Sequence, residues 1–144
     1  MTGLYRIVDH PLDPQEAIRA VSGPDRGAVA VFIGTTRDHQ AGRPVRFLEY
    51  QAYVAMAEDV MREIGRDIAA RYDTPHLAMM HRVGRLEVGE ASVVIAVAAA
   101  HRREALAACA YAIDRLKQDA PIWKKEHYAD GAAWIEGPGA HPSS

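Results

Sequence analysis

The chain has a single cysteine, Cys109, among 144 residues. That excludes an internal disulfide and any zinc site built from several thiolates, and it fits a reducing, cytoplasmic setting. Long hydrophobic runs are lacking too. The longest, ASVVIAVAAA from Ala91 to Ala100, is far short of the roughly 20 residues that a membrane-spanning helix needs. The first residues, MTGLYRIVDH, carry no basic segment followed by an apolar stretch, so no signal peptide is expected. There is no excess of positive charge: Lys and Arg number 17 against 19 Asp and Glu, for a net charge of -2. Overall attraction to nucleic acid is therefore not expected, and an anion must be held by local clustering of cations. Neither GxGxxG nor a glycine-rich loop ending in Lys-Ser/Thr occurs, so neither a dinucleotide fold nor a P-loop is indicated. His76 and His81 are five apart in an expected strand and face opposite ways, which leaves no metal site at recognised spacing.

What is present is an ordinary globular composition, 49% hydrophobic and 25% charged, which predicts a packed core. One domain over residues 1–136 is expected, with 137–144 (GPGAHPSS) as a flexible tail. Asp13 and Pro14 announce a helix from Pro14 to about Val21. GAVAVFIG, residues 27–34, reads as a buried strand, TTRDHQAGRP after it as a polar loop, and strand character resumes from Val45. Met56, Val60, Ile64 and Ile68, with Met61 beside them, recur at helical spacing and predict an amphipathic helix over about Val54 to Arg71. HLAMMHRVGRLEVGE reads as a strand with a turn near Gly84, and ASVVIAVAAA as a central strand. A second long helix is expected over Arg102 to Gln118, with Ala105, Leu106, Cys109, Ala112, Ile113 and Leu116 as its buried stripe. Pro121 ends it, and AAWIE reads as a last short strand. This order lacks regular βαβ alternation and predicts an α+β fold with helices on one face of the sheet.

Cations gather in three separate segments. Lys117 falls at the edge of the helical stripe, where partial desolvation would raise its reactivity. If PIWKKE is extended, Lys124 turns inward beside it while Lys125 stays in water. The same lysines also fit a solvated helix end favoured by the macrodipole. His101 and Arg102 stand where an apolar strand meets a helix N-terminus, a place suited to an anion, or simply to a wet helix start. Arg37 follows the buried strand and can fork onto a phosphate or carboxylate, or ride an idle loop. Cys109 lies on the buried stripe and reads as packing. Together these residues suit an anionic small molecule held by electrostatic clamping.

The segments GAVAVFIGTTRD, VRFLEYQAYVAMAE, HRVGRLEVGE, AHRREA and LKQDAPIWKKE, in that order, resemble the large, catalytic subunit of molybdopterin synthase, the MoaE family. The resemblance runs from about residue 4 to 136. It implies an α/β hammerhead-type α+β domain with a mixed, largely antiparallel sheet and helices packed on it. It further implies a sulfurtransferase of molybdenum cofactor biosynthesis. Such an enzyme is a homodimer, with a small ubiquitin-like sulfur-carrier subunit docked at each end to make a heterotetramer. The carrier's C-terminal Gly-Gly thiocarboxylate gives its sulfur to cyclic pyranopterin monophosphate, forming the dithiolene without metal or dissociable cofactor. By the same resemblance Lys117 and Lys124 are catalytic. Thr35, Thr36, Arg37, His101, Arg102, Lys125 and Glu126 bind substrate, with His101 and Arg102 acting either within a subunit or across the dimer. Two departures stand out: Thr36 occupies a place where Val is common in the family, and Gln51 one where Glu is common. The competing expectation is a non-catalytic adaptor for an acidic ubiquitin-like tail, which would need the pocket but not both lysines.

Overall fold

The protein is described by a computed structural model covering residues 3–129 and 131–135; the tail expected over 137–144 lies outside these residues. The helix expected first is α1 (Pro14–Val21), with Asp13 accepting the Gln15 N–H at 3.0 Å and Pro14 at its start. The chain order is β1 (Gly3–Val8), α1, β2 (Ala28–Thr35), β3 (His39–Gln40), β4 (Arg43–Ala52), α2 (Val54–Tyr72), β5 (His76–Arg82), β6 (Gly84–Glu87), β7 (Ala91–Ala99), α3 (Arg102–Asp119), β8 (Ile122–Tyr128) and β9 (Gly131–Ile135). One sheet runs β1-β5-β7-β2, parallel only at β1–β5; the other runs β3-β4-β8-β9, with β6 also on β4. The fold is α+β and mostly antiparallel, as the sequence predicts. Among the described residues no helix is long and apolar enough to cross a membrane.

β7 is central because its apolar run has two faces to fill. Val93, Ile95, Val97 and Ala99 join the core under α2 and α3. Val94, Ala96 and Ala98 meet Ala17 and Val21 of α1 on the reverse face. Strand alternation thus feeds two cores from one segment. Helices therefore cover both faces of this sheet, not one, because a strand with no polar side needs cover on each.

Three other expectations shift. β2 is an edge strand and only half buried: Ala30 packs inward, but Val29, Val31 and Ile33 are about 40% exposed (39%, 39% and 42%). Its continuous apolar run looks buried in sequence, yet the cluster around α1 includes residues of β5 and β7 and none of β2. The buried stripe of α2 is Ala57, Met61, Ile64, Gly65 and Ile68, which leaves Met56 59% exposed. On α3, Ala108 joins the buried face and Leu106 is left outside it. In both helices the face is set by which residues meet the sheet closely, and small alanines win over longer neighbours. Finally, the expected polar loop contains a hairpin: His39 and Gln40 pair with Pro44 and Arg43 across a turn at Ala41–Gly42.

Candidate active site

A cavity of about 460 Å³ opens where the C-terminal end of α3, the inner sheet and the β4–β8 sheet meet. Register explains its floor. Tyr50 pairs with Lys124 and Leu48 with Glu126 across β4 and β8, so side chains of one parity share a face, and all four line the cavity. The other parity places Glu49 opposite Lys125 and Phe47 opposite His127. There His127 is bonded to Glu49 and stacks on Phe47 at 4.1 Å between centroids. Gly34 contributes the cavity wall on β2, where an added Cβ would lie 2.7 Å from Val93.

Lys117 reaches this cavity from the last turn of α3, Lys124 from β8, and Arg37 from the segment after β2. Thr35 and Glu126 line it as well. The two lysines differ from the sequence expectation in which one is desolvated. Lys117 is exposed, and the half-buried ammonium is that of Lys124. Burial lowers the Lys124 pKa; Glu126 opposes this, while Lys117 and Arg37 add to it by repulsion. The three cations therefore act on one another in a shared space, and Glu126 offsets part of their charge. Glu126 is itself only 3% exposed and accepts the Tyr128 hydroxyl at 2.8 Å. With its own negative charge, it suits a donor group of a ligand rather than an anion.

Four expected residues lie elsewhere. Thr36 is buried and off the cavity, its N–H donating to the Glu90 carbonyl at 3.0 Å. Lys125 is half-buried on the far face of β8, not free in water. Trp123 shares that face, buried edge-on against Tyr53. His101 is the N-cap of α3 without a side-chain cap bond, and Arg102 begins the helix; both are exposed. At 1.5 Å per residue they stand roughly 22–24 Å from Lys117 along the helix axis, so one chain does not bring them to its own cavity.

The cavity also holds residues that the sequence reading passed over. His81, weighed only as a metal ligand, lines it with 6% exposure. Its ring stands edge-on to Tyr50 at 4.9 Å, and Nδ1 donates to the Arg82 carbonyl at 2.8 Å. Burial, with Lys117 nearby, pushes its pKa down to about 4, so the imidazole is neutral at pH 7. Burial likewise raises the Tyr50 phenol. The signal for His81 was its place at the buried end of an otherwise apolar strand.

Residues 7–119 match the family described as MoaE protein. The chain belongs to the MoaE family. The molybdopterin synthase catalytic subunit of Halalkalibacterium halodurans is 42% identical over 131 residues, 91% of this chain and 84% of that one. The crystal structure of molybdopterin synthase from Staphylococcus aureus superposes with a TM-score of 0.89 at 36% identity, over 92% of this MoaE chain and 96% of that one. The complex of subunits 1 and 2 of molybdopterin-converting factor from Helicobacter pylori shares the fold at a TM-score of 0.75. It is 22% identical, over 99% of this chain and 94% of that chain. The MoaE segments that mark the resemblance in sequence thus fold around the cavity: GTTRD at and beyond the end of β2, HRVG at the junction of β5 and β6, and IWKKE in β8.

Proposed function

We propose that this chain is the catalytic subunit of a molybdopterin synthase. It moves sulfur from the C-terminal thiocarboxylate of a small ubiquitin-like carrier onto cyclic pyranopterin monophosphate, building the dithiolene in two rounds. The observation that carries this reading is the convergence of Lys117, Lys124 and Arg37 from three separate segments on one cavity. Exposed Lys117 meets the incoming thiocarboxylate at the mouth. Half-buried Lys124 binds the precursor and holds the negative charge that develops as the cyclic phosphate opens, where low local polarity strengthens its field. Arg37 supplies a forked donor to phosphate, and Thr35 a hydroxyl. The step is electrostatic and needs no metal or dissociable cofactor. The reaction is placed in the cytoplasm, where the buried Cys109 meets no oxidising machinery.

Two kinds of partner follow. A catalytic subunit needs its carrier, whose acidic thiocarboxylate tail is drawn to a cationic mouth; association is accordingly slowed by salt. A second copy of this chain is placed against β2, where Val29, Val31 and Ile33 show an apolar surface at a free strand edge. β2 runs from Ala28, opposite Ala99 and so close to His101, to Thr35 at the cavity. A two-fold axis across β2 sets the start of one β2 beside the end of the other. It thereby brings His101 and Arg102 of one copy toward the cavity of its mate. With a carrier at each end the assembly is a heterotetramer.

The test is a single-turnover assay with thiocarboxylated carrier and the cyclic precursor. Lys117→Ala and Lys124→Ala are each expected to slow product formation roughly 100-fold, as loss of an oxyanion donor does, with Lys124→Ala still binding the carrier. A near-normal rate for Lys117→Ala refutes its role. Normal dithiolene formation by Lys124→Ala refutes its role in turn, whereas carrier binding by the unaltered protein without any dithiolene would reduce the protein to an adaptor.

A further inference from the structure

His81 presents an acceptor that nothing in the described structure uses. Its Nδ1 must carry the ring proton, because the group facing it at 2.8 Å is the Arg82 carbonyl, which can only accept. Nε2 is therefore a lone pair. It has no hydrogen-bond partner among the described residues, although the side chain is 94% buried against a 6% exposure and lines the cavity that holds Lys117 and Lys124. Nε2 is not sealed from solvent; it opens onto the cavity, where a water can donate to it. Glu126, another acceptor in the cavity, is already engaged by the Tyr128 hydroxyl and stands beside Lys124.

The reaction proposed above, on which this step rests, has a requirement of its own. The carrier arrives as a thiocarboxylate and must leave as a carboxylate, so each sulfur delivered consumes one water at the terminal acyl carbon. We infer that His81 is the proton acceptor for that water, completing release of the carrier from the pterin. The water oxygen bonds to the acyl carbon as one of its protons passes to Nε2. The C–S bond breaks, and its electron pair leaves with sulfur on the pterin as a thiolate, which Lys117 and Lys124 stabilise. The second proton is lost as the new carboxylic acid ionises, and the imidazolium returns its proton to solvent. The Arg82 carbonyl holds the ring in the required tautomer throughout, and Tyr50 fixes its plane. His81 is neutral in the resting protein because it is buried beside a cation; the same burial weakens it as a base, so proton transfer to Nε2 accompanies attack of the water rather than preceding it.

The test separates the two steps. Protein, thiocarboxylated carrier and precursor are mixed, quenched in acid and read by mass spectrometry. With the unaltered protein the carrier is recovered as free carboxylate, carrying one oxygen from labelled water, and its release slows in D2O. His81→Asn retains an N–H for the Arg82 carbonyl but loses the Nε2 position. It is expected to form the thioester between carrier and pterin at a near-normal rate and to release the carrier about 100-fold more slowly, the scale of a lost general base. His81→Gln, compared by thermal unfolding, is the second variant. Release at the normal rate by either folded variant overturns the assignment, as does equal slowing of both steps or the absence of any D2O effect in the unaltered protein. If the unaltered protein makes neither adduct nor product, the synthase reading itself fails and this step with it; an active protein with indifferent His81 variants sinks only the step.

Discussion

Thr36 sits at 4% exposure with its hydroxyl oxygen lacking a hydrogen-bond partner among the described residues. Its backbone is tied on both sides, donating to Glu90 and accepting from the Gly89 N–H at 2.8 Å, so the segment is held whatever the side chain. A hydroxyl taken out of water without a partner costs about 1–3 kcal/mol, and Val has nearly the same shape. Thr36→Val is therefore expected to stabilise the fold by about 1 kcal/mol, raising Tm by a few degrees, with turnover unchanged since Thr36 does not line the cavity. Thermal unfolding and the single-turnover assay check both halves; a drop in Tm would show that the hydroxyl is satisfied by an ordered water. The family resemblance had already marked this position as one where Val is common. His81 is the opposite case. Its charge state and orientation depend on Arg82, Tyr50 and Lys117, which come from β5, β4 and α3, and no local pattern in the sequence encodes that meeting.

Among the elements, those with a strong local signal matched the sequence expectation. α1 carries its own cap and proline, β7 its unbroken apolar run, and α3 its stop before Pro121. What escaped was set by non-local contact: β2 looked buried because its own residues are apolar, while its exposure depends on how far α1 reaches across the sheet. The β3–β4 hairpin escaped because its turn is Ala41–Gly42, with φ of 51° and 78°. Two successive left-handed residues make the tight turn that suits a two-residue hairpin, where Asn-Gly is the favoured pair. Alanine at the first position hides that signal and strains the backbone. Ala41→Asn is expected to relieve it, stabilising the protein by about 0.5–1 kcal/mol. The gain matters for the site because Arg37 is hydrogen-bonded to Gln40 in this hairpin, so a firmer turn should hold the guanidinium more narrowly and slow amide exchange across His39 to Arg43. Unchanged exchange there, or a loss of stability in urea, would contradict the turn assignment.

At the scale of the whole molecule the open matter is how His101 and Arg102 reach a cavity that lies at the other end of their own helix. Either they belong to no site, and replacing both leaves turnover intact, or they belong to the site of a second copy, and two inactive variants then complement each other when mixed. A Lys117→Ala subunit retains His101 and Arg102; a His101→Ala, Arg102→Ala subunit retains both lysines. Paired across β2, the second subunit's cavity receives intact side chains from the first, while the first subunit's cavity has lost both contributions. Random reassortment makes half of the dimers mixed, each with one whole site, so activity should recover to about a quarter of the unaltered level. If the four groups acted within one chain, mixing would restore nothing, since every subunit would carry its own lesion. Replacing Val31 by Asp should abolish the recovery by placing a charge on the apolar β2 face, and sedimentation should then report monomers. Recovery that persists, with sedimentation still reporting dimers, would place the shared site on some other surface.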